Sequence, residues 1–475
     1  MPEHITLIDF GSTFTKGVVI DPRSERIAAQ SCTSSTVGTD VREGLNLLLR
    51  DLSGQLSPDI VVQSKKLACS SAAGGLRMVV IGLIPELTLE AGRKAACNAG
   101  AKIVGSYSGE LTPEDLSDVL SARADIILLT GGTDGGNRQV LLANAEALAG
   151  SGFSNPVIVA GNKNAAHEVA ARLQSAGIET IRTENVMPYV GKLNLEPARQ
   201  AIRELFIRRI AIAKGISGIQ HQVPVKMPTP DAVLHGIHLI ADGTEEEEGL
   251  GELLAVDVGG ATTDVYSVAS GAPTQGNVNL KGLLPEPYIK RTVEGDLGMR
   301  HNAATILETA GCAHLTELSG LLAGEGPFVE AYCRTVKPEY VPDDPRGKSV
   351  DAALAKSAVE LAVGRHAGSM EISFLPGIGE TYFQTGKDLR SIRLVIGTGG
   401  PVIHSERAGE ILSMACWDAR MPMKLKPQAP GFLLDRRYLL YAIGLLSWDF
   451  PALGLHLAKR YLEPLSSHEV PAGPD

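Results

Sequence analysis

One pattern, met twice, constrains this chain more than any other. Near the start, Ile5-Thr6-Leu7-Ile8-Asp9-Phe10-Gly11-Ser12-Thr13-Phe14-Thr15-Lys16 runs from an apolar strand into an Asp, a glycine turn with hydroxyls, and a second strand. In the second half, Leu254-Ala255-Val256-Asp257-Val258-Gly259-Gly260-Ala261-Thr262-Thr263-Asp264 does the same. A carboxylate at the tip of a strand offers the hard oxygen that Mg²⁺ takes, usually through water. Glycine lets a backbone approach a ligand closely, and successive free N–H groups in a tight turn form a nest for phosphate. A lone Gly-Gly turn is common in hairpins. Two copies, with a lysine in the first, point to a phosphate ligand. Neither is a P-loop, because GxxxxGK[ST] is absent.

The roles follow from the residue types. Gly11, Ser12 and Thr13 supply backbone and hydroxyl donors, Lys16 a compact charge for β- and γ-phosphates, and Asp9 faces the metal. Gly259, Gly260, Thr262 and Thr263 repeat the cradle, with Asp257 as the second metal-facing carboxylate. A third strand ends in Gly397-Thr398-Gly399-Gly400, whose glycines could let an adenine or ribose lie flat on the backbone. Arg291-Thr292-Val293-Glu294-Gly295-Asp296-Leu297-Gly298-Met299-Arg300 reads as the opening of a helix, with Glu294 and Asp296 able to approach a nucleotide sugar, the metal or a bound water.

At 475 residues the chain is too long for one core. Residues 1–75 read as the first part of one half, with an amphipathic helix near 41–57. Over 76–190 apolar strands alternate with helical patterns, which means a parallel sheet covered by helices. Thr112-Pro113-Glu114-Asp115 is a helix N-terminus with Thr as cap. Thr130-Gly131-Gly132-Thr133-Asp134-Gly135-Gly136 lies at a strand's C-terminal end, where α/β folds dock ligands or partners. Residues 191–250 read as a connecting helical segment, with a Pro-containing connector from His221 to Pro230. Residues 251–434 form a second half, with a surface loop at 330–350. Residues 435–475 carry a last helix, near 435–447, and a tail. His235 and His238 have no third ligand nearby and read as structural.

Net charge of −10 argues against a nucleic-acid footprint. The apolar stretch 438–458 is broken by Asp449 and Pro451, so it reads as a buried helix and turn rather than a membrane span. Six cysteines without a CxxC pair, and no signal-peptide pattern before Ile5, suit a reducing cytoplasm.

In this order the three glycine turns resemble the actin, sugar-kinase and heat-shock-chaperone ATPase superfamily. That resemblance implies an α/β fold of two RNase H-like halves closing on ATP and Mg²⁺. The wording of residues 9–13, 129–137 and 292–300 is similar to the MutL/GlmL family, which is unrelated to mismatch repair. Its members accompany adenosylcobalamin-dependent glutamate (methylaspartate) mutase and related mutases or aminomutases, as ATPases that reactivate them by exchanging damaged cobalamin. The resemblance implies ATP hydrolysis, with Asp9, Lys16, Asp257 and Glu294 as catalytic residues, Asp257 or Glu294 orienting water, and mutase subunits as partners. It leaves the oligomeric state and the client mutase open.

The inserted segment resembles the flavodoxin-like cobalamin-binding subunit of those mutases. There a strand is followed by Asp-x-His-x-x-Gly, whose His ligates cobalt. Here the stretch is Leu87-Thr88-Leu89-Glu90-Ala91-Gly92, with leucines at the Asp and His positions. The resemblance therefore implies no bound cobalamin, and an insert that mimics the cobalamin subunit at the mutase's docking surface. A small-molecule kinase of the same superfamily and a non-hydrolysing nucleotide-binding scaffold are the alternatives.

Overall fold

Residues Ile5–Phe10 form β1, and all six are buried. A strand covered on both faces belongs at the centre of a sheet, and β1 lies there. The computed structural model describes residues 2–11, 14–36, 40–71, 76–212, 222–321, 327–377 and 379–465. They fall into two units. The first comprises Met1–Gly236, Leu283–Pro285 and Tyr441–Leu457; the second comprises Ile237–Gly282, Glu286–Leu440 and Ala458–Asp475.

In the first unit β1 is followed by β2 (Phe14–Asp21), β3 (Arg26–Ser34), β4 (Lys65–Ser70), β5 (Leu76–Gly82), β6 (Ala101–Ser108), β7 (Ile126–Leu129), β8 (Val157–Val159), β9 (Thr180–Arg182) and β10 (Val225–Pro228). One sheet has the order β10-β4-β1-β2-β3. β1, β2 and β3 are antiparallel neighbours, while β4 and β10 run parallel to β1. The helix Val41–Gln55 covers it through buried Leu45, Leu48 and Leu52, and Asp40 caps it by accepting from the Arg42 N–H. Gly17 makes room for that helix, since a Cβ there would come 2.8 Å from Leu48 Cδ2.

The strands from β5 to β9 form a separate, wholly parallel sheet in the order β6-β5-β7-β8-β9. This is the flavodoxin-type 2-1-3-4-5 winding. Its interior strands are near-continuous apolar runs, with Val79, Ile81, Ile127, Leu129, Val157 and Val159 all fully buried. Thr112 and Asp115 form a reciprocal capping box on Pro113–Ser121. The stretch expected to be a Pro-containing connector is corrected here: within it, Val225–Pro228 is β10, the fifth strand of the first sheet. Pro224 before the strand and Pro228 as its last residue hid it.

The second unit contains β11 (Leu253–Val258), β12 (Thr263–Val268), β13 (Val278–Leu280), β14 (Ile289–Glu294), β15 (Ser369–Leu375), β16 (Gly379–Thr385), β17 (Leu394–Thr398), β18 (Gly431–Leu434) and β19 (Glu463–Pro464). Its main sheet has the order β14-β12-β11-β17-β18-β19. Again the first strand lies inside the sheet, with two strands joined in antiparallel pairs on one side, and on the other two parallel strands followed by β19, antiparallel to β18. Both sheets therefore share the strand order 3-2-1-4-5 in order of appearance, with β19 added at the far edge of the second. β13, β16 and β15 make a small second sheet in this unit. The helix Pro345–His366 packs its alanine-rich length into the core, with Ala353, Ala355, Ala358 and Ala362 fully buried.

Two further expectations are corrected. Residues 291–294 end a strand, β14, and the helix begins only at Ala303. The expected surface loop at 330–350 contains most of the helix Pro327–Val336 and the start of Pro345–His366. The apolar stretch 438–458 holds the short helix Leu440–Leu446 and the start of Pro451–Tyr461. Among the described residues no helix is long and apolar enough to cross a membrane.

Candidate functional site

In the first unit the turn after β1 is closed by one backbone bond, Gly11 N–H to Phe14 O at 3.1 Å. A Cβ on Gly11 would lie 2.4 Å from that carbonyl oxygen, so the turn requires glycine. Ser12 and Thr13 lie outside the described residues. Register pairs Asp9 with Lys16 across β1 and β2, which brings the two side chains to one face. Asp9 is 3% exposed. Thr229 donates to its Oδ1 at 2.5 Å, and the Cys69 thiol lies 3.6 Å from the same oxygen. Burial pushes the Asp9 carboxyl above its usual range; Lys16 and the bonds from Thr229 and Cys69 pull it part of the way back.

In the second unit the turn after β11 has the same closure, Gly259 N–H to Thr262 O at 2.9 Å. Register pairs Asp257 with Asp264 on β12 and with Thr398 on β17. Thr262 donates to Asp264 Oδ2 at 3.0 Å, and Arg291 grips Asp264 Oδ1 at 2.7 Å. Thr263 is buried and donates to Leu297 O at 2.7 Å, so its hydroxyl serves the fold. Gly260 is exposed. Its carbonyl accepts from the Arg300 and His301 N–H groups, both at 2.9 Å. That contact seats residues 295–302 against the turn. Gly298 permits it, because a Cβ there would come 2.3 Å from the Ala261 carbonyl carbon.

Glu294 closes β14 beside this turn. Arg365 donates to it at 2.7 Å and to both oxygens of Asp296, at 2.8 and 2.9 Å. Burial raises the Glu294 carboxyl above its ordinary value, against the opposing pull of Arg365. Asp296 is held below its usual range, chiefly by the Arg365 hydrogen bonds.

Of the third turn, Gly397 is buried, and a Cβ would lie 2.7 Å from Leu412 Cδ1. Gly399 has φ of 89°, and a Cβ would lie 2.2 Å from Val258 O and 2.7 Å from Asp257 Oδ1. The third turn therefore touches the second directly. Gly400 is half-buried and opens the short helix Gly400–Ile403. Just beyond lies a hollow of about 330 Å³ lined by His404, Ser405, Glu406, Ala408, Gly409 and Arg436.

Several residues at these sites were not picked out from sequence. Cys69 reaches Asp9 from near the end of β4 and Thr229 from the start of the helix after β10, and Arg365 reaches Glu294 from a helix 71 residues on. Arg203 lies 3.2 Å from His235 Nε2, Trp448 packs edge-on against that ring at 5.5 Å, and His238 Nε2 lies 3.0 Å from Asp242 Oδ2. Among the described residues no group of three or more His, Cys, Asp or Glu could hold a metal. The parallel sheet's loop after β5 turns Leu89 into the core, 8% exposed.

The class so defined is an α/β protein with two mixed sheets of one plan, each ending its central strand in an Asp and a glycine turn. The family described as MutL protein matches residues 5–462, and Protein MutL of Clostridium tetanomorphum is 44% identical over 459 residues, 96% of this chain and 98% of the relative. The chain belongs to the MutL family. Among solved structures, gluconate kinase from Lactobacillus acidophilus has a TM-score of 0.35 at 9% identity, covering 98% of this chain and 93% of that one. Ethanolamine utilization protein EutJ from Carboxydothermus hydrogenoformans has a TM-score of 0.28 at 12% identity, covering 96% and 90%.

Proposed function

We propose that this chain binds and hydrolyses MgATP, and that it uses the cycle to reactivate an adenosylcobalamin-dependent mutase, such as glutamate (methylaspartate) mutase, by promoting release of damaged cobalamin. One observation carries the nucleotide reading. The same Gly N–H to carbonyl closure, at 3.1 Å in one sheet and 2.9 Å in the other, follows an Asp near the end of each central strand.

The donor set fits Mg²⁺ held mainly by water and phosphate. That ion dehydrates reluctantly and is usually bound through one or two carboxylates plus substrate phosphates, a role open to Asp9 in the first unit and to Asp257 in the second. Bound there, the metal would neutralise charge on the phosphates. Lys16 adds a cation, and the backbone N–H groups of Gly260 and Thr262 add donors. Phosphoryl transfer needs mostly such positioning and charge neutralisation. Glu294, fixed by Arg365, or Asp257 orients the attacking water. The hollow beside Gly400 receives the adenosine.

The mutase partnership rests on family membership and on the inserted sheet. Its winding is that of flavodoxin-like domains, and the position of a cobalt-ligating His is taken by Leu89, an alkyl side chain in the core. We read the insert as a cobalamin-free mimic that occupies the mutase's docking surface in the cytoplasm.

The test is ATP turnover with and without the two mutase subunits, together with cobalamin release from inactivated holoenzyme. ATP-dependent release is expected. Lys16→Ala and Asp257→Ala should each lower turnover at least about tenfold, the loss of one charge-stabilising contact. Unchanged turnover in both variants overturns the site assignment, and turnover without release overturns the mutase role.

A further inference from the structure

We propose that Thr229 is a positioning residue for Asp9, pinning one carboxylate oxygen so that the other is offered to the hydrated Mg²⁺ of the bound nucleotide. The inference rests on the nucleotide reading above and adds a residue that neither sequence motif contains. A carboxylate that is only 3% exposed must be hydrogen-bonded to remain charged. Both hydrogen bonds to it end on Oδ1: the Thr229 hydroxyl at 2.5 Å and the Cys69 thiol at 3.6 Å. The shorter lies in the range of charge-assisted O–H···O⁻ bonds. The thiol is also 3.8 Å from the Ile8 carbonyl oxygen, so its single proton is shared and Thr229 is the stronger anchor. Among the described residues no hydrogen bond ends on Oδ2.

Thr229 is itself held firmly. It begins the helix Thr229–Asp242 directly after β10, whose Pro228 is paired with Ser70 of β4. Two residues on, Asp231 is fully buried and gripped by Arg203 at 2.7 Å and Arg199 at 3.4 Å. The start of the helix therefore cannot drift without breaking a buried ion cluster. A hydroxyl fixed at both flanks and aimed at Oδ1 sets the rotation of the carboxylate about its last bond. It does this from 220 residues away in sequence.

The experiment measures binding of a fluorescent N-methylanthraniloyl-ADP to the full chain, with excess MgCl₂ and with EDTA. It compares the unaltered protein, Thr229→Val and Thr229→Ser. The unaltered chain should bind more tightly with Mg²⁺. Thr229→Val should lose about tenfold of the Mg²⁺-dependent gain, the scale of a hydrogen bond to a charged group, while its affinity in EDTA stays the same. Thr229→Ser, which keeps the hydroxyl, should restore the gain. If Thr229→Val does not fold, Thr229→Ala is read in the same way. An undiminished gain in Thr229→Val, or an equal loss in Mg²⁺ and in EDTA, overturns the positioning role. Failure of the unaltered chain to bind nucleotide in either condition overturns the nucleotide reading instead, and this inference with it.

Discussion

His366 shows what a single buried titratable group does to this fold. Its ring nitrogens lie 2.8 Å from the Ser267 and Thr292 hydroxyls. Burial, then the charges of Lys290 and Lys387, hold its pKa well below the ordinary value. The unfolded chain therefore binds a proton at this residue that the native chain refuses. Native stability falls as pH drops through about 6.5, the unfolded value, and stops falling below the depressed native value. Urea midpoints should drop between pH 7.5 and 5.5, conditions of about the stated span around that value. His366→Gln should be less stable at neutral pH and show a shallower slope; an equal slope in both proteins would rule out His366 as its source. At this scale the site is legible in part. Asp9 and Lys16 stand in one hairpin, so local spacing brings them together. Thr229 and Arg365 act through folding alone, and no local pattern connects them to Asp9 or Glu294.

Elements meet most tightly where the helix Leu440–Leu446 crosses Thr229–Asp242. A Cβ on Gly444 would lie 1.7 Å from Ala232 O and 3.0 Å from Gly236 N. The neighbours are backbone and cannot swing aside, so Gly444→Ala must push the helices apart. A loss of about 3 kcal/mol is expected, the upper end of ordinary overpacking, read from chemical denaturation; a loss below about 1 kcal/mol would mean the crossing yields. The small residues of this helix could be read from sequence, as could the βα alternation of the insert and the cap at Thr112. β10 could not, because the three residues between Pro224 and Pro228 carry too little periodicity. β14 was hidden differently. Glu294-Gly295-Asp296 has the composition of a helix cap, yet Thr292 and Val293 before it are β-branched, and their pairing with β12 decides the matter.

On the scale of the whole molecule, the two main sheets share a plan, and the parallel insert lies in the chain between the fourth and fifth strands of the first. The first unit also recruits Tyr441–Leu457 from near the chain's end. Tyr441 donates to Leu7 O at 3.3 Å across 434 residues. A chain stopped before Tyr441 should therefore leave that unit open to protease while the intact protein resists; equal resistance would show that the late segment is dispensable. The same feature governs birth on the ribosome. At about 5–20 residues per second, β1 waits roughly 20–90 s after its own synthesis for its last packing partner. Through that interval the N-terminal core is an unfinished surface emerging beside growing nascent chain, closed only once residues 441–457 have left the ribosome.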